Sequence, residues 1–83
     1  MSMNSLGDIW KAVLDALGQQ LTPTAISTWF DDCVPVEIDG STLVLKTSTD
    51  FKRDIIVKRF SETIKNTLSD IFSTDFSIIV LTE

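Results

Sequence analysis

TDFKRDIIVKRFSETIKNTLSDIF, running from Thr49 to Phe72, is the stretch from which the fold can be read. At about 100° of rotation per residue, Ile56, Val57, Phe60, Ile64, Leu68 and Ile71 share one side of a helix about six turns long. A stripe that apolar must face a core. The opposite side carries Lys58, Arg59, Glu62, Lys65, Asn66 and Ser69, ordinary company for water, yet its first turns also hold Phe51 and Ile55. Isolated apolar exposure is common, but a Phe and Ile pair one turn apart among charges is less so. The pair therefore reads as a surface kept for a partner, or else as residues covered by a loop or a neighbouring helix.

Just before this stretch, Thr47, Ser48 and Thr49 are candidate helix caps, and Asp50 puts negative charge in the first turn of a helix expected over about 50–72. Further back, the apolar period changes to two. Val36 and Ile38 flank Glu37, Asp39-Gly40 is a turn signal, and Leu43 and Leu45 alternate with Val44 and Lys46. This predicts a β-hairpin over about 34–47, its loop either two residues long or running to Ser41. Pro35 has no ladder donor, which assigns it to a strand start or an open edge. Beyond the long helix, Phe76, Ser77, Ile78, Ile79, Val80 and Leu81 read as a third strand over about 76–82. It is more apolar than a strand with one wet face, which points to an interior position and leaves the strand order open.

At the other end, Ser5 with Asp8 three residues on resembles an acidic capping box. Leu6, Ile9, Trp10, Val13, Leu14 and Leu17 then repeat at helical spacing, with Gly18 as terminator, predicting a helix over about 5–18. Thr22-Pro23 is a cap and first-turn pair for a second helix over about 23–31, with Ile26, Trp29 and Phe30 on its apolar side and Cys33 just past its end. Met1 to Asn4 have no pattern and are expected to fray. The order is α-α-β-β-α-β, and one α+β domain over 1–83, a three-stranded sheet covered by helices, is the compact way to bury these stripes.

With 83 residues and a formal charge of −5, the chain offers little room for a deep active site and lacks the overall basic character of most nucleic-acid binders. The charge is uneven. Residues 52–65 hold Lys52, Arg53, Lys58, Arg59 and Lys65 against Asp54 and Glu62, a net +3, while the remainder carries −8. A solvated helix face explains such a patch, and so does a weak local contact with phosphate or an acidic protein. One cysteine permits no internal disulfide and fits a reducing cytoplasm. The N-terminal residues lack a secretory pattern, and the longest apolar run, Ile78 to Leu81, is far short of a membrane span.

No histidine and no tyrosine are present, so the commonest general base and the usual triads are missing. Cys33 continues the apolar side of the second helix and reads as a buried structural thiol. Adjacent Asp31 and Asp32 point apart on a helix and read as helix-end solvation. Gly7, Gly18 and Gly40 stand alone, forming neither a phosphate-binding loop nor the Gly-x-x-Gly clamp of KH domains. No catalytic group, metal site or cofactor is expected.

Several of these segments, in this order, resemble the N-terminal domain of the bacterial chromosomal replication initiator family DnaA. They are Ile9-Trp10 with Val13, Leu14 and Leu17, then Leu21, Ser27 to Phe30, Asp39 to Leu45, and Phe51, Asp54 and Phe60. The likeness spans nearly the whole chain. It implies a KH-like domain that binds the replicative helicase and initiation regulator proteins and associates weakly with itself. By position, Trp10 matches the aromatic linked to self-association, and Phe51 the aromatic at the head of the long helix that contacts helicase and regulators. Thr49, Asp50, Lys52 and Ile55 surround Phe51, while Thr28 and Trp29 match a neighbouring stretch used by regulators. Trp10 and Trp29 also read as packing residues.

The chain departs from the family's pattern in places. Thr47-Ser48-Thr49 stand where members often have Ala-Pro-Asn, Ile55 where a Trp follows, and Ala25 where some have a helicase-contacting acid. The resemblance further implies that the ATPase and duplex-reading modules lie beyond these residues in a longer initiator. The other reading, from the residues themselves, is a module that binds single-stranded nucleic acid, weakly at most, through Lys52, Arg53, Lys58, Arg59 and Lys65.

Overall fold

In the computed structural model, which describes residues 5–83, the first two helices begin where a side chain supplies the acceptor their free amides need. Ser5 Oγ accepts the Asp8 amide at 3.0 Å and opens α1, Leu6–Leu17. Thr22 Oγ1 accepts the Ala25 amide at 3.1 Å and opens α2, Pro23–Phe30, with the proline in its first turn. The expectation for Met1 to Asn4 lies outside the described residues.

Strands β1, Val34–Asp39, and β2, Thr42–Thr47, form an antiparallel hairpin closed by the two residues Gly40-Ser41. Gly40 takes φ of 60° at the first central position, as a two-residue turn matched to strand twist requires. The Ser41 carbonyl then accepts the Ser77 amide at 2.9 Å, tying the turn to the start of β3, Ser77–Thr82. The sheet order is β1-β2-β3, with β3 parallel to β2.

The interior position expected for the last strand is thereby corrected, since β3 is an edge. Its continuous apolar run reflects two faces, one against the core through Val80 and one in water through Ile79 and Leu81. Pro35 lies on the other edge strand. The register between β1 and β2 shifts from Pro35 to Glu37, a bulge that leaves Val36 exposed.

The single α-helix expected over 50–72 is also corrected. Thr49 caps α3, Asp50–Ile55, a π-helical turn covers Ile56–Phe60, and α4 runs from Ser61 to Phe72. The core residues Ile56, Phe60, Ile64 and Leu68 recur every four positions, and each such step in a regular α-helix drifts about 40° past a full turn. A turn bonded i to i+5 holds more residues per revolution and removes that drift between Ile56 and Phe60. It also rotates Val57 outward, so this residue, read from its spacing as core, is 45% exposed. Ile71, likewise expected in the stripe, is only half-buried.

The helices cover one face of the sheet. Leu43, Leu45, Ile56, Ile64 and Leu68 are fully buried between them, each contributing about 1.5–3 kcal/mol by leaving water. Trp10, Phe30 and Phe60 form a chain of tilted rings through this core, at centroid separations of 6.2 and 5.4 Å. No helix among the described residues is long and apolar enough to cross a membrane.

Candidate partner-docking surface

The fold brings the end of α2 beside the start of α3, and this junction gathers most of the residues singled out in the sequence. Trp29 is half-buried and packs against the core. The Phe51 ring is tilted at 53° to the Trp29 ring with centroids 5.8 Å apart, and Phe51 remains 67% exposed. Thr28, next to Trp29, is exposed, and its hydroxyl donates to the Thr24 carbonyl at 2.8 Å. Ile55 does not join this surface as the sequence reading had it. It is half-buried and packed against the core.

A polar clamp fixes the junction. Asp32 accepts from Thr47 Oγ1 at 2.9 Å, from Ser48 Oγ, and from Lys52 Nζ at 3.2 Å. Lys52 Nζ also donates to Asp31 at 2.8 Å. The end of α2, the end of β2 and the first turn of α3 thus share one hub. The hydrogen bond from Ser48, followed by those from Thr47 and Lys52, overcomes desolvation and brings the Asp32 carboxyl down to about 2 from an ordinary 3.8. Bonds to Asp31 and then Asp32 raise the Lys52 ammonium above its ordinary value.

The helix-end solvation expected of Asp31-Asp32 is therefore replaced by specific bonding, and of three cap candidates only Thr49 caps, accepting the Lys52 amide at 3.1 Å. Thr47 and Ser48 serve Asp32 instead. No periodic pattern signals such a hub. Its bonded partners lie 15 to 21 residues apart, and only the donor and acceptor types suggest it.

Three of the five basic residues considered for nucleic acid are paired with acids. Lys52 is in the clamp, Arg53 lies 3.2 Å from Asp54 and 3.5 Å from Asp50, and Lys65 lies 3.3 Å from Glu62. Lys58 and Arg59, on the π turn, are exposed and make no ion pair among the described residues; the Arg59 guanidinium sits 5.7 Å from the Phe60 ring centroid.

Trp10 is 7% exposed, so its ring is core material. Any part it plays in self-association would pass through the helix it anchors and not through ring contact. Cys33 is buried, and burial, aided by neighbouring Asp32, pushes its thiol up to about 12, which leaves it almost wholly protonated.

Compared with known families, the chain matches the model of the DnaA N-terminal domain over residues 7–70. That span runs from the first turn of α1 almost to the end of α4 and contains Trp10, Trp29, Phe51 and the whole clamp. This chain belongs to the DnaA N-terminal domain family and is a domain of a replication initiator.

Proposed function

We propose that the ridge formed by Trp29 and Phe51, flanked by Thr28, Thr49, Asp50 and Lys52, docks the replicative helicase and the regulators of initiation. The observation that carries this reading is the exposure of Phe51 on a support that is itself held in place. Binding energy at protein interfaces concentrates in a few aromatic or arginine anchors ringed by polar groups, and a ring already seated on a half-buried tryptophan loses little freedom on binding. Around the ridge the acids Asp31, Asp32, Asp50 and Asp54 outnumber their partners Lys52 and Arg53, and the surplus negative charge favours a partner with basic groups around an apolar pocket.

The domain works by contact and not by catalysis, in the cytoplasm, without a cofactor of its own. It also associates weakly with itself and forms the first segment of a longer initiator whose ATPase and duplex-reading modules follow. The pairing of Lys52, Arg53 and Lys65 with acids weakens the single-stranded nucleic-acid reading, since those cations are already partly neutralised.

The test is an amide NMR titration of the labelled chain with the N-terminal domain of the replicative helicase, and separately with a single-stranded oligonucleotide at moderate salt. Shifts at Thr28, Trp29, Phe51 and Lys52 with the helicase support docking. Shifts along Lys52 to Lys65 with the oligonucleotide, and none with the helicase, would sink it.

A further inference from the structure

The two edges of the sheet are unlike. β1 carries Pro35, which has no amide to offer, and a bulge between Pro35 and Glu37, both of them devices that keep a further strand from adding to an edge. β3 carries neither. From Ser77 to Thr82 it holds no proline, glycine or charge, and it pairs with β2 in unbroken register.

The ladder fixes which backbone groups of β3 are in use. The Ser77 amide donates to the Ser41 carbonyl at 2.9 Å, so Ser77 turns toward β2, and in a parallel ladder every second residue after it does the same. Ser77, Ile79 and Leu81 therefore spend amide and carbonyl on β2. Ile78, Val80 and Thr82 turn theirs to the outer edge, where no backbone partner stands among the described residues. Three donors and three acceptors, recurring about every 6–7 Å, form a template for one more strand.

Side chains narrow what that strand can be. Ile79 and Leu81 are 49% and 46% exposed, so an incoming strand meets apolar neighbours at alternate positions. Asp75 and Glu83, both exposed, bracket the edge, and the chain from Asn66 to Glu83 holds three acids and no base. The base on the neighbouring strand, Lys46, lies one strand further in, beside Leu81.

We propose that the β3 edge binds an extended segment of a partner protein by strand addition, a segment with an alternating apolar centre of about five residues and lysine or arginine at its ends. Main-chain hydrogen bonds hold it, Ile79 and Leu81 set the spacing of its apolar residues, and Asp75 and Glu83 select its basic ends. The same acids disfavour a second β3 as the occupant. Antiparallel pairing of two such edges has two registers that overlap five strand residues. Centred on Ile79, it sets Asp75 of each copy opposite Glu83 of the other, and centred on Val80 it sets them on a diagonal, with like charges close in both. This contact goes beyond the docking ridge, since it uses main-chain groups of the sheet and not Phe51.

The experiment is amide hydrogen exchange of the labelled 83-residue chain, alone and with a synthetic peptide of about eight residues, lysine at each end and threonine and valine alternating between. In the free chain, the Ile78, Val80 and Thr82 amides should exchange at least tenfold faster than those of Ile79 and Leu81. Saturating peptide should slow the first three at least fivefold and leave the other two as they were. A peptide with glutamate at its ends should bind at least fivefold more weakly, and Asp75→Lys combined with Glu83→Lys should invert that preference. Thr82→Pro removes an outward amide and no ladder bond, so the chain should keep its fold and lose at least fivefold in peptide affinity.

Protection of the three outward amides in the free chain would mean that the edge is covered, and would overturn the proposal. If that protection fades on dilution, the occupant is a second copy. Peptide binding that spares β3, persists in Thr82→Pro or ignores the sign of the peptide's ends would also overturn it. Phe51→Ala should bind the peptide within about twofold of the parent, which keeps this test apart from that of the docking ridge.

Discussion

Trp29 holds Phe51 from below: their rings lie 5.8 Å apart at 53°, one half-buried against the core and the other largely in water. The adjoining residue on α3, Lys52, is bonded to Asp31 and Asp32 just past the end of α2. One contact is apolar and the other ionic, and both span the same junction. A rotation of α3 against α2 must break both together, so the docking ridge is presented in one orientation before any partner arrives.

Phe51→Ala removes an exposed ring, so it should cost folding no more than the aromatic pair itself supplies, about 0.5–1.5 kcal/mol. Helicase binding should fall by about 1–3 kcal/mol, a loss of hot-spot size. Chemical denaturation and a binding titration on the same protein measure the two quantities. Unfolding of the variant would move Phe51 into the core and remove the basis for the ridge.

How far the sequence revealed this arrangement depended on whether a periodic signal existed. Periodicity located α1, α2, the hairpin and the residues buried by α4, and Phe51 stood out because its charged neighbours left no core for it to enter. Ile55 carried the same signal and proved half-buried, since a helical wheel shows the phase of a side chain but not what packs against it. The π turn was hidden by the constant 100° step assumed per residue, which is the step it breaks. β3 was illegible as an edge because an apolar face left open looks the same in sequence as one covered by a neighbour. The Asp32 clamp joins residues far apart in the chain, and no spacing encodes it.

Acid should act through that clamp. The Asp32 carboxyl titrates near 2 in the folded chain and near 3.8 when free, so the unfolded chain takes up the proton first as pH falls. The stability Asp32 contributes is complete above about pH 5 and is lost as pH falls through about 2. Asp32→Asn should be less stable than the parent at pH 6, with the gap narrowing steadily below about pH 5 to roughly a third by pH 2.5 in urea midpoints. A gap of constant size would show that the carboxylate is not the bonding form. At the alkaline end, the raised Lys52 value contributes stability present below its ordinary 10.5 and lost only as pH rises through the higher folded value.

Trp10→Ala should be costly. The ring is buried against Phe30, and deletion of such a ring leaves a cavity as well as lost transfer energy, about 3–5 kcal/mol. Trp10→Phe keeps much of that packing and should retain both fold and self-association. A well-folded Trp10→Phe chain that no longer associates would mean the indole reaches a second copy directly.

Cys33 should be silent toward thiol reagents in the folded chain. With its thiol at about 12 against an ordinary 9.0, its thiolate population is about a thousandfold below that of a free cysteine at neutral pH, and burial blocks approach as well. Labelling at pH 8 should therefore follow global unfolding and accelerate with added urea in step with the loss of helix signal. Fast labelling without unfolding would point to local opening where β1 begins.

The π turn makes the sharpest structural prediction. A widened turn accommodates one extra residue without changing the phase of the helix on either side, so removing one exposed residue from it should restore regular α-helix through the segment. Deletion of Lys58 should leave Phe51 on Trp29 and the Ile64 and Leu68 stripe in the core, at a stability cost of about 2 kcal/mol or less, the size of an ordinary substitution. Deletion of Asn66 in α4 is the control. There no slack exists, and every residue on one side of the cut rotates by about 100° relative to the other, carrying either Leu68 or Ile64 out of the core. Two-dimensional amide spectra and thermal unfolding of the two deletions decide the matter: a folded chain without Lys58 and an unfolded one without Asn66 is the expected pair. Equal damage from both would mean that the π turn is itself required for packing.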